Sequence, residues 1–466
     1  MLTRLEVDGF KNLVDFSVDL GPFTCIAGEN GVGKSNLFDA IEFLGLLADH
    51  SLVDAAQRVR GVDQELGEDP VNLFAGSGRN QRREMTIAAE MLVPPIVVDE
   101  FDREERPTST YLRYEVQLAL VPAEGREKMS RLVLQSESLT PITQAEARQR
   151  LVKPLRTPSF RNHAVINRRK SGPYIRTSHS GETLAISLHQ DGGSRGQPRL
   201  ASAGRAQQTV LSTISSAEWP TAMAARREMQ SWRRLALEPS AMRTPDRYRG
   251  PRTMSSTGAH LTAALHRLST EESSGDVLAR VTTLLDRLGG LQVDRIRIDE
   301  DDARQQFSLA LVERGGLVVP ARNLSEGTLR FLAVCVLLED PSVEGLICLE
   351  EPENGIHPAN VPAMVELVQR LALDAQEPLG ADNPLRQVLI NTHSPFVVQT
   401  VGANSLLFAT RIRDRQQPGR HRFSLVPMSG SWRDDADAER VMTKADVLPY
   451  LAGAPDAQLS LTTRSA

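Results

Sequence analysis

Apolar and polar residues alternate from Leu2 to Val7 and again through Phe16-Ser17-Val18-Asp19-Leu20, the period of strands with one buried face. Gly21-Pro22 ends the second run as a turn. Phe23-Thr24-Cys25-Ile26-Ala27 is instead nearly continuously apolar, as a central strand covered on both faces is. After the glycine-rich residues 28–35, Leu37, Ile41, Leu44 and Leu47 fall near one face of a predicted helix. Alternation returns at Glu84–Leu92 and Tyr111–Leu120, on either side of a charged, proline-marked loop at 99–107. From about 122 to 256 the period weakens while Arg, Gly, Ser and Pro accumulate. One helix is predicted there, near 221–237, and without sustained heptads no long coiled-coil arm is expected. Regular patterning then resumes. It predicts helices near 260–268 and 277–288, and a hairpin of 293–298 with 306–314 turning at Asp299-Glu300-Asp301-Asp302. Next come a helix over 326–338, a buried strand at 345–349, a helix at 362–373, and strands at 387–390 and 405–409.

Strands alternating with helices at both ends of the chain predict an α/β fold whose sheet is assembled from two sequence segments around an insertion. The expected division is an N-terminal lobe at 1–121, an inserted domain at 122–256, a C-terminal lobe at 257–452 and a polar tail at 453–466.

Composition narrows the class. With 466 residues, 24% charged and 40% hydrophobic, the chain reads as an ordinary globular protein of two or three domains. No run is long enough to span a bilayer, and the opening residues lack a secretory signal, so a cytoplasmic protein with no membrane partner is expected. Cys25, Cys335 and Cys348 sit in apolar runs without metal or redox spacing, which predicts three buried thiols. Net charge is −5, yet Pro141–Arg252 holds 20 Lys or Arg against 7 Asp or Glu. A basic middle therefore lies between acidic flanks. Two readings stay open. Arg161, Arg168, Arg169 and Lys170, with Arg226, Arg227, Arg233 and Arg234 on one broad helix face, could meet DNA or RNA. Equally, these arginines could pair with the acidic flanks inside the fold.

Candidate chemistry starts at Gly28-Glu29-Asn30-Gly31-Val32-Gly33-Lys34-Ser35, which fits G-x-x-x-x-G-K-[ST] between a predicted strand and a predicted helix. Glycines let successive backbone N–H groups face phosphate oxygens at a helix N-terminus. Lys34 supplies a charge for the β- and γ-phosphates, and Ser35 a hydroxyl for Mg²⁺. Asn30, Gly31, Val32, Gly33 and Asn36 complete the expected ATP-binding loop. A second element, Leu346-Ile347-Cys348-Leu349-Glu350-Glu351, ends a strand in paired acids. Neighbouring strand residues point apart, so Glu350 is assigned to the Mg²⁺ shell and Glu351 to orienting or deprotonating the attacking water. His393, in Ile390-Asn391-Thr392-His393-Ser394-Pro395, ends a further strand, where it could sense the γ-phosphate.

These pieces, in this order, resemble the ABC-type ATPase heads of the SMC and RecF group, and more closely the stand-alone bacterial ATPases akin to the ATPase half of OLD-family nucleases. Leu324-Ser325-Glu326-Gly327-Thr328 is similar to the signature loop, residues 350–358 to the Walker B and D-loop, and Asn391–Ser394 to the switch-histidine segment. Gly9-Phe10-Lys11-Asn12 resembles the segment that brings a basic residue near the nucleotide, which implies Lys11. The resemblance spans both ends of the chain and leaves the middle unexplained. Two departures stand out: Glu350 occupies the position where transporters place Asp, and the signature lacks the transporter form. The resemblance implies an ATP- and Mg²⁺-dependent ATPase in which two copies, or a higher oligomer, sandwich nucleotide, with Ser325 and Gly327 reaching the opposite copy's phosphate. It further implies either ATP-gated nucleic-acid binding or control of a separately encoded nuclease or toxin, in phage defence or DNA repair.

Overall fold

The computed structural model describes the chain apart from residues 60–68, 100, 123–129, 170–171, 181–182, 193–198, 204–205, 216–217, 272–274, 290–291, 381, 414–420, 435–439, 444, 448–461 and 464–466. The polar tail expected at 453–466 lies almost wholly outside the described residues, as does Lys170.

Two large sheets organise the molecule. The first is antiparallel and eight-stranded. It contains β1 (Leu2–Asp8), β2 (Phe16–Asp19), β4 (Glu84–Leu92), β5 (Tyr111–Val121), β6 (Arg131–Pro141), β7 (Ile175–Ser180), β8 (Thr183–Leu188) and β9 (Arg199–Ser202), in the spatial order β9-β8-β7-β6-β5-β4-β1-β2. The second is six-stranded, built from β3 (Phe23–Ala27), β10 (Arg233–Leu235), β13 (Gly345–Glu350), β14 (Arg386–Thr392), β15 (Leu406–Arg413) and β16 (His421–Pro427), ordered β10-β13-β14-β3-β15-β16. Its first five strands run parallel, and β16 closes the far edge antiparallel to β15. A smaller sheet holds the hairpin of β11 (Val293–Asp301) and β12 (Gln306–Glu313).

The parallel strands are apolar throughout because both their faces are covered. Alternation sends Leu346, Cys348 and Leu389 into a core shared with the eight-stranded sheet, α1 (Lys34–Leu47) and α2 (Pro220–Gln230). Ile347, Leu349, Val388 and Ile390 enter the opposite core, packed by α3 (Leu261–Thr270), α4 (Val277–Gly289), α5 (Glu326–Glu339) and α6 (Val361–Leu371). Cys25, Cys335 and Cys348 are buried and unpaired, as their apolar surroundings predict.

The middle of the chain differs from the expectation of a separately folded insertion at 122–256. Strands β6 to β9 continue the N-terminal sheet, α2 packs in the core shared by the two large sheets, and β10 forms the edge of the six-stranded one. Their period is hard to read because these strands are short and separated by glycine-rich sequence, while β6 alternates with polar residues on its open face. The helix expected over 221–237 ends at Gln230, so Arg233 and Arg234 lie on a strand and do not share a helix face with Arg226 and Arg227.

Candidate functional site

The phosphate loop leaves β3 and enters α1 with Gly28, Gly31 and Gly33 all at positive φ, at 154°, 77° and 116°. Only glycine takes such shapes cheaply, and the space around Gly33 is closed as well: a Cβ there would stand 2.1 Å from Asn12 Nδ2. Asn12 itself braces the loop, donating to the Val32 carbonyl at 3.1 Å and accepting from Asn36 Nδ2 at 2.8 Å. Arg411, from β15, donates to the Gly31 carbonyl. Lys34 is buried at the head of α1 and donates to the Gly28 and Glu29 carbonyls at 2.6 and 2.9 Å. Burial holds its ammonium below the ordinary lysine range, although Glu351, Glu353 and Glu29 oppose the effect.

The acids arrive on the same edge of the sheet. One strand, β14, lies between β3 and β13, and the Gly28 N–H donates to the Thr392 carbonyl at its end, at 3.2 Å. Parallel register therefore brings residues 28–35, 350–351 and 391–393 to the C-terminal ends of three adjacent strands, where ligands of open α/β sheets bind. Ser35, Glu350, Glu351, Asn354 and Asn391 line one cavity of about 360 Å³, together with Arg330 of α5 and the 236–238 segment. The two halves of the motif, more than 300 residues apart in sequence, face one space.

Glu351 is held from several sides. Its backbone takes φ 42°, unusual for a residue with a side chain, and its N–H donates to the carbonyl and side-chain oxygens of Asn391 at 3.2 and 3.0 Å. Asn354 Nδ2 donates to its Oε2 at 2.7 Å, and His393 Nδ1 lies 2.8 Å from Oε1. Burial alone would push this carboxyl up, but Asn354, His393 and Lys34 outweigh burial and hold it below its ordinary range. Glu351 is thus ionised across the physiological range. Glu353, two residues on, is buried beside Thr392, and burial pushes its carboxyl up.

Other expected residues are placed differently. Lys11 pairs with buried Asp39 of α1 at 2.7 Å and is not among the cavity's lining residues. The side chain of Asn36 is turned to Asn12. Ser325 caps α5, accepting from the Thr328 N–H at 3.1 Å; it is exposed, and neither it nor Gly327 lines the cavity. Asn354, Asn391 and Arg330 escaped the sequence reading. The two asparagines stood inside motifs already noticed, whereas Arg330 reaches the cavity only through the packing of α5.

Geometry suits a triphosphate with a divalent cation. The glycine loop, the buried Lys34 ammonium and the α1 N-terminus form an anion cradle. Beside Ser35 stands Glu350, a half-buried carboxylate whose Oε1 meets the Arg234 guanidinium at 3.0 Å. Among those residues no group of three His, Cys, Asp or Glu could hold a metal ion alone, so a cation here would draw its other ligands from phosphate and water, as Mg²⁺ commonly does. A larger cavity of about 600 Å³ lies elsewhere, lined by Arg4, Glu6, Glu90, Arg113 and Arg150 among others. Three of its cations are already paired, Arg4 with Glu6 and Asp19, Arg113 with Glu6, and Arg150 with Glu90.

Comparison with known proteins follows the same lines. A family model described as "AAA domain, putative AbiEii toxin, Type IV TA system" matches residues 174–399, and a second, described as "AAA domain", matches residues 4–49. No curated protein matches the chain. Among solved structures, an SMC head bound to the C-winged helix domain of ScpA is 14% identical, with a TM-score of 0.48, over 91% of this chain and 98% of that one. The SMC head domain from Thermotoga maritima is 11% identical, with a TM-score of 0.37, over 92% and 98%. An Smc head with an extended coiled coil, bound to the C-terminal domain of ScpA derived from Pyrococcus furiosus, is 11% identical, with a TM-score of 0.41, over 91% and 96%. No helix among the described residues is long and apolar enough to cross a membrane. One AAA-domain match takes in the phosphate loop and the other the paired acids and His393, so both parts of the candidate site lie where the chain is similar to AAA-domain proteins.

Proposed function

We propose that this protein binds ATP with Mg²⁺ and hydrolyses it, and that nucleotide-dependent pairing of two copies carries the signal to an effector. The observation that carries the reading is the single cavity shared by Ser35, Glu350 and Glu351. In this reading Lys34 and the loop amides hold the phosphates, and Ser35 and Glu350 hold the cation, which supplies charge neutralisation at the phosphates. Glu351 accepts a hydrogen bond from the attacking water. Because its carboxyl is held low by Asn354, His393 and Lys34, it orients that water more than it strips a proton from it. His393, bonded to Glu351, would report the loss of the γ-phosphate. Ser325, exposed at the N-terminus of α5, would offer its hydroxyl and the helix end to the partner copy's phosphate.

Glu351→Gln is expected to bind ATP within about threefold of the parent and to lose turnover by about 10²-fold or more. Lys34→Ala is expected to weaken binding itself. Phosphate release and equilibrium binding measure the two. Light scattering of Glu351→Gln should detect an ATP-dependent dimer, and a monomer under saturating ATP would remove the trans role of Ser325. Hydrolysis by Glu351→Gln at the parent's rate would overturn the assignment of Glu351.

The arginines favour an output through a partner protein over direct nucleic-acid contact. Arg226 is spent on the Ala48 and Ile214 carbonyls and Asp49, Arg234 on Asp39, Glu42 and Glu350, and Arg169 on the Gln190 and Pro173 carbonyls and the Tyr174 ring. We therefore favour a sensor ATPase that controls a separately encoded effector, a nuclease or toxin of phage defence or DNA repair. Exposed Arg168, Arg227 and Arg233 leave the nucleic-acid reading open to a direct test. Affinity for DNA or RNA that falls steeply with salt would restore it, since phosphate contacts release counterions.

A further inference from the structure

From the middle of the chain, Arg234 reaches Glu350, an acid that lines the candidate site. Strand β10 is the edge of the six-stranded sheet and runs parallel to β13, with Arg234 beside Cys348. From there the Arg234 guanidinium stands 3.0 Å from Glu350 Oε1, 3.1 Å from Asp39 Oδ1 and 3.3 Å from Glu42 Oε2. Asp39 is fully buried and takes Lys11 on its other oxygen at 2.7 Å. Three elements meet at this one cation: α1, which begins with Lys34; β13, which ends in the paired acids; and β10.

The arrangement is more than a neutral surface bridge. Arg234 is largely buried, at 16% side-chain exposure, and a half-buried acid facing a cavity beside Ser35 would otherwise be free to swing. Charge pairing fixes such an acid, because separating it from the cation in a poorly solvated place leaves an uncompensated charge. The Arg234 guanidinium thus stands 3.0 Å from a buried oxygen of the acid. A guanidinium presents its donors in a rigid planar fork that can serve acids on two elements at once with less reorganisation than a lysine ammonium.

We propose that Arg234 is a positioning residue of the metal site: it sets Glu350 against α1 so that the acid meets a divalent cation beside Ser35. The role rests on the ATP and Mg²⁺ reading above and gives an otherwise unassigned arginine of the basic middle a function in that site.

The test is binding, measured in the Glu351→Gln background with a fluorescent ATP analogue, once with Mg²⁺ and once with EDTA. The parent should bind more tightly with Mg²⁺. Arg234→Met should lose about tenfold of the Mg²⁺-dependent affinity and change the EDTA affinity less than twofold, and Arg234→Lys should recover part of the loss. Glu350→Gln should lose as much as Arg234→Met, with the double variant no worse than Glu350→Gln, because residues acting through one contact do not add. Equal weakening in Mg²⁺ and EDTA, unchanged affinity in both, or additive losses in the double variant would each overturn the role. A soluble Arg234→Lys decides the matter if Arg234→Met does not fold, since full affinity there would also exclude a need for the fork. A parent that binds no analogue at all would overturn the ATP reading itself, and this proposal with it.

Discussion

In the proposed reaction Glu351 carries the chemistry on one side chain whose charge is set by its neighbours. Its carboxyl lies below the ordinary glutamate range because Asn354, His393 and Lys34 overcome the cost of burial. The ionised form, which the proposed role in orienting water requires, is therefore present above that lowered value and is lost as pH falls through it. Removing the Asn354 hydrogen bond, 2.7 Å long, takes away a stabiliser of the charged form and moves the loss to higher pH. In Asn354→Ala the acid limb of the pH–rate profile is expected to move to higher pH. An unshifted limb would show that another group governs it. The positive φ of Glu351 costs roughly 1 kcal/mol or more, and the two bonds from its N–H to Asn391 hold it there.

At the level of elements, the site depends on how strand ends are seated. Strand β13 begins at Gly345, with φ 73°, directly against the end of α2: a Cβ there would stand 1.8 Å from Ser231 Oγ and 2.7 Å from its Cβ. Both the backbone conformation and the space require glycine. Gly345→Ala is expected to cost about 2–4 kcal/mol in a urea titration, with ATP affinity falling as the joint between α2, β10 and β13 loosens. A loss under about 0.5 kcal/mol would mean that α2 moves aside freely. The same joint carries Arg234, so the edge strand and the metal-side acid are mechanically linked.

Across the whole molecule, the eight-stranded sheet carries a buried acid remote from the nucleotide. Glu137 on β6 accepts from the Val210 and Leu211 N–H groups at 2.6 and 2.9 Å and from the Tyr114 hydroxyl at 3.2 Å. Burial nevertheless pushes its carboxyl up to about 7 from an ordinary 4.5, the hydrogen bonds opposing only in part. The folded protein thus keeps a proton that the unfolded chain releases. Its stabilising effect is complete below about 4.5 and is lost as pH rises through about 7, a swing of about 3 kcal/mol. Thermal unfolding at pH 5 and pH 8 should show parent stability falling with rising pH relative to Glu137→Gln, whose side chain does not titrate. Parallel pH dependence in the two proteins would remove Glu137 as the source.

Sequence alone determined what is local. The G-x-x-x-x-G-K-S run needs no distant partner to be read, because its glycines and lysine act through the backbone around them. The strands at 23–27, 345–350 and 386–392 are likewise legible, since burial on both faces requires continuous apolar residues. Tertiary structure decided what depends on neighbours in space. Polar alternation and glycine-rich sequence hid β6 to β9 from a periodic reading, and it took pairing to make them one sheet with β1. Arg234 sits in a basic stretch that suggests a phosphate backbone, but its charge is spent inside the molecule. A side chain's type is written in the chain, while its partner is fixed only when strand register and helix packing bring acids such as Asp39 and Glu350 within about 3 Å of Arg234.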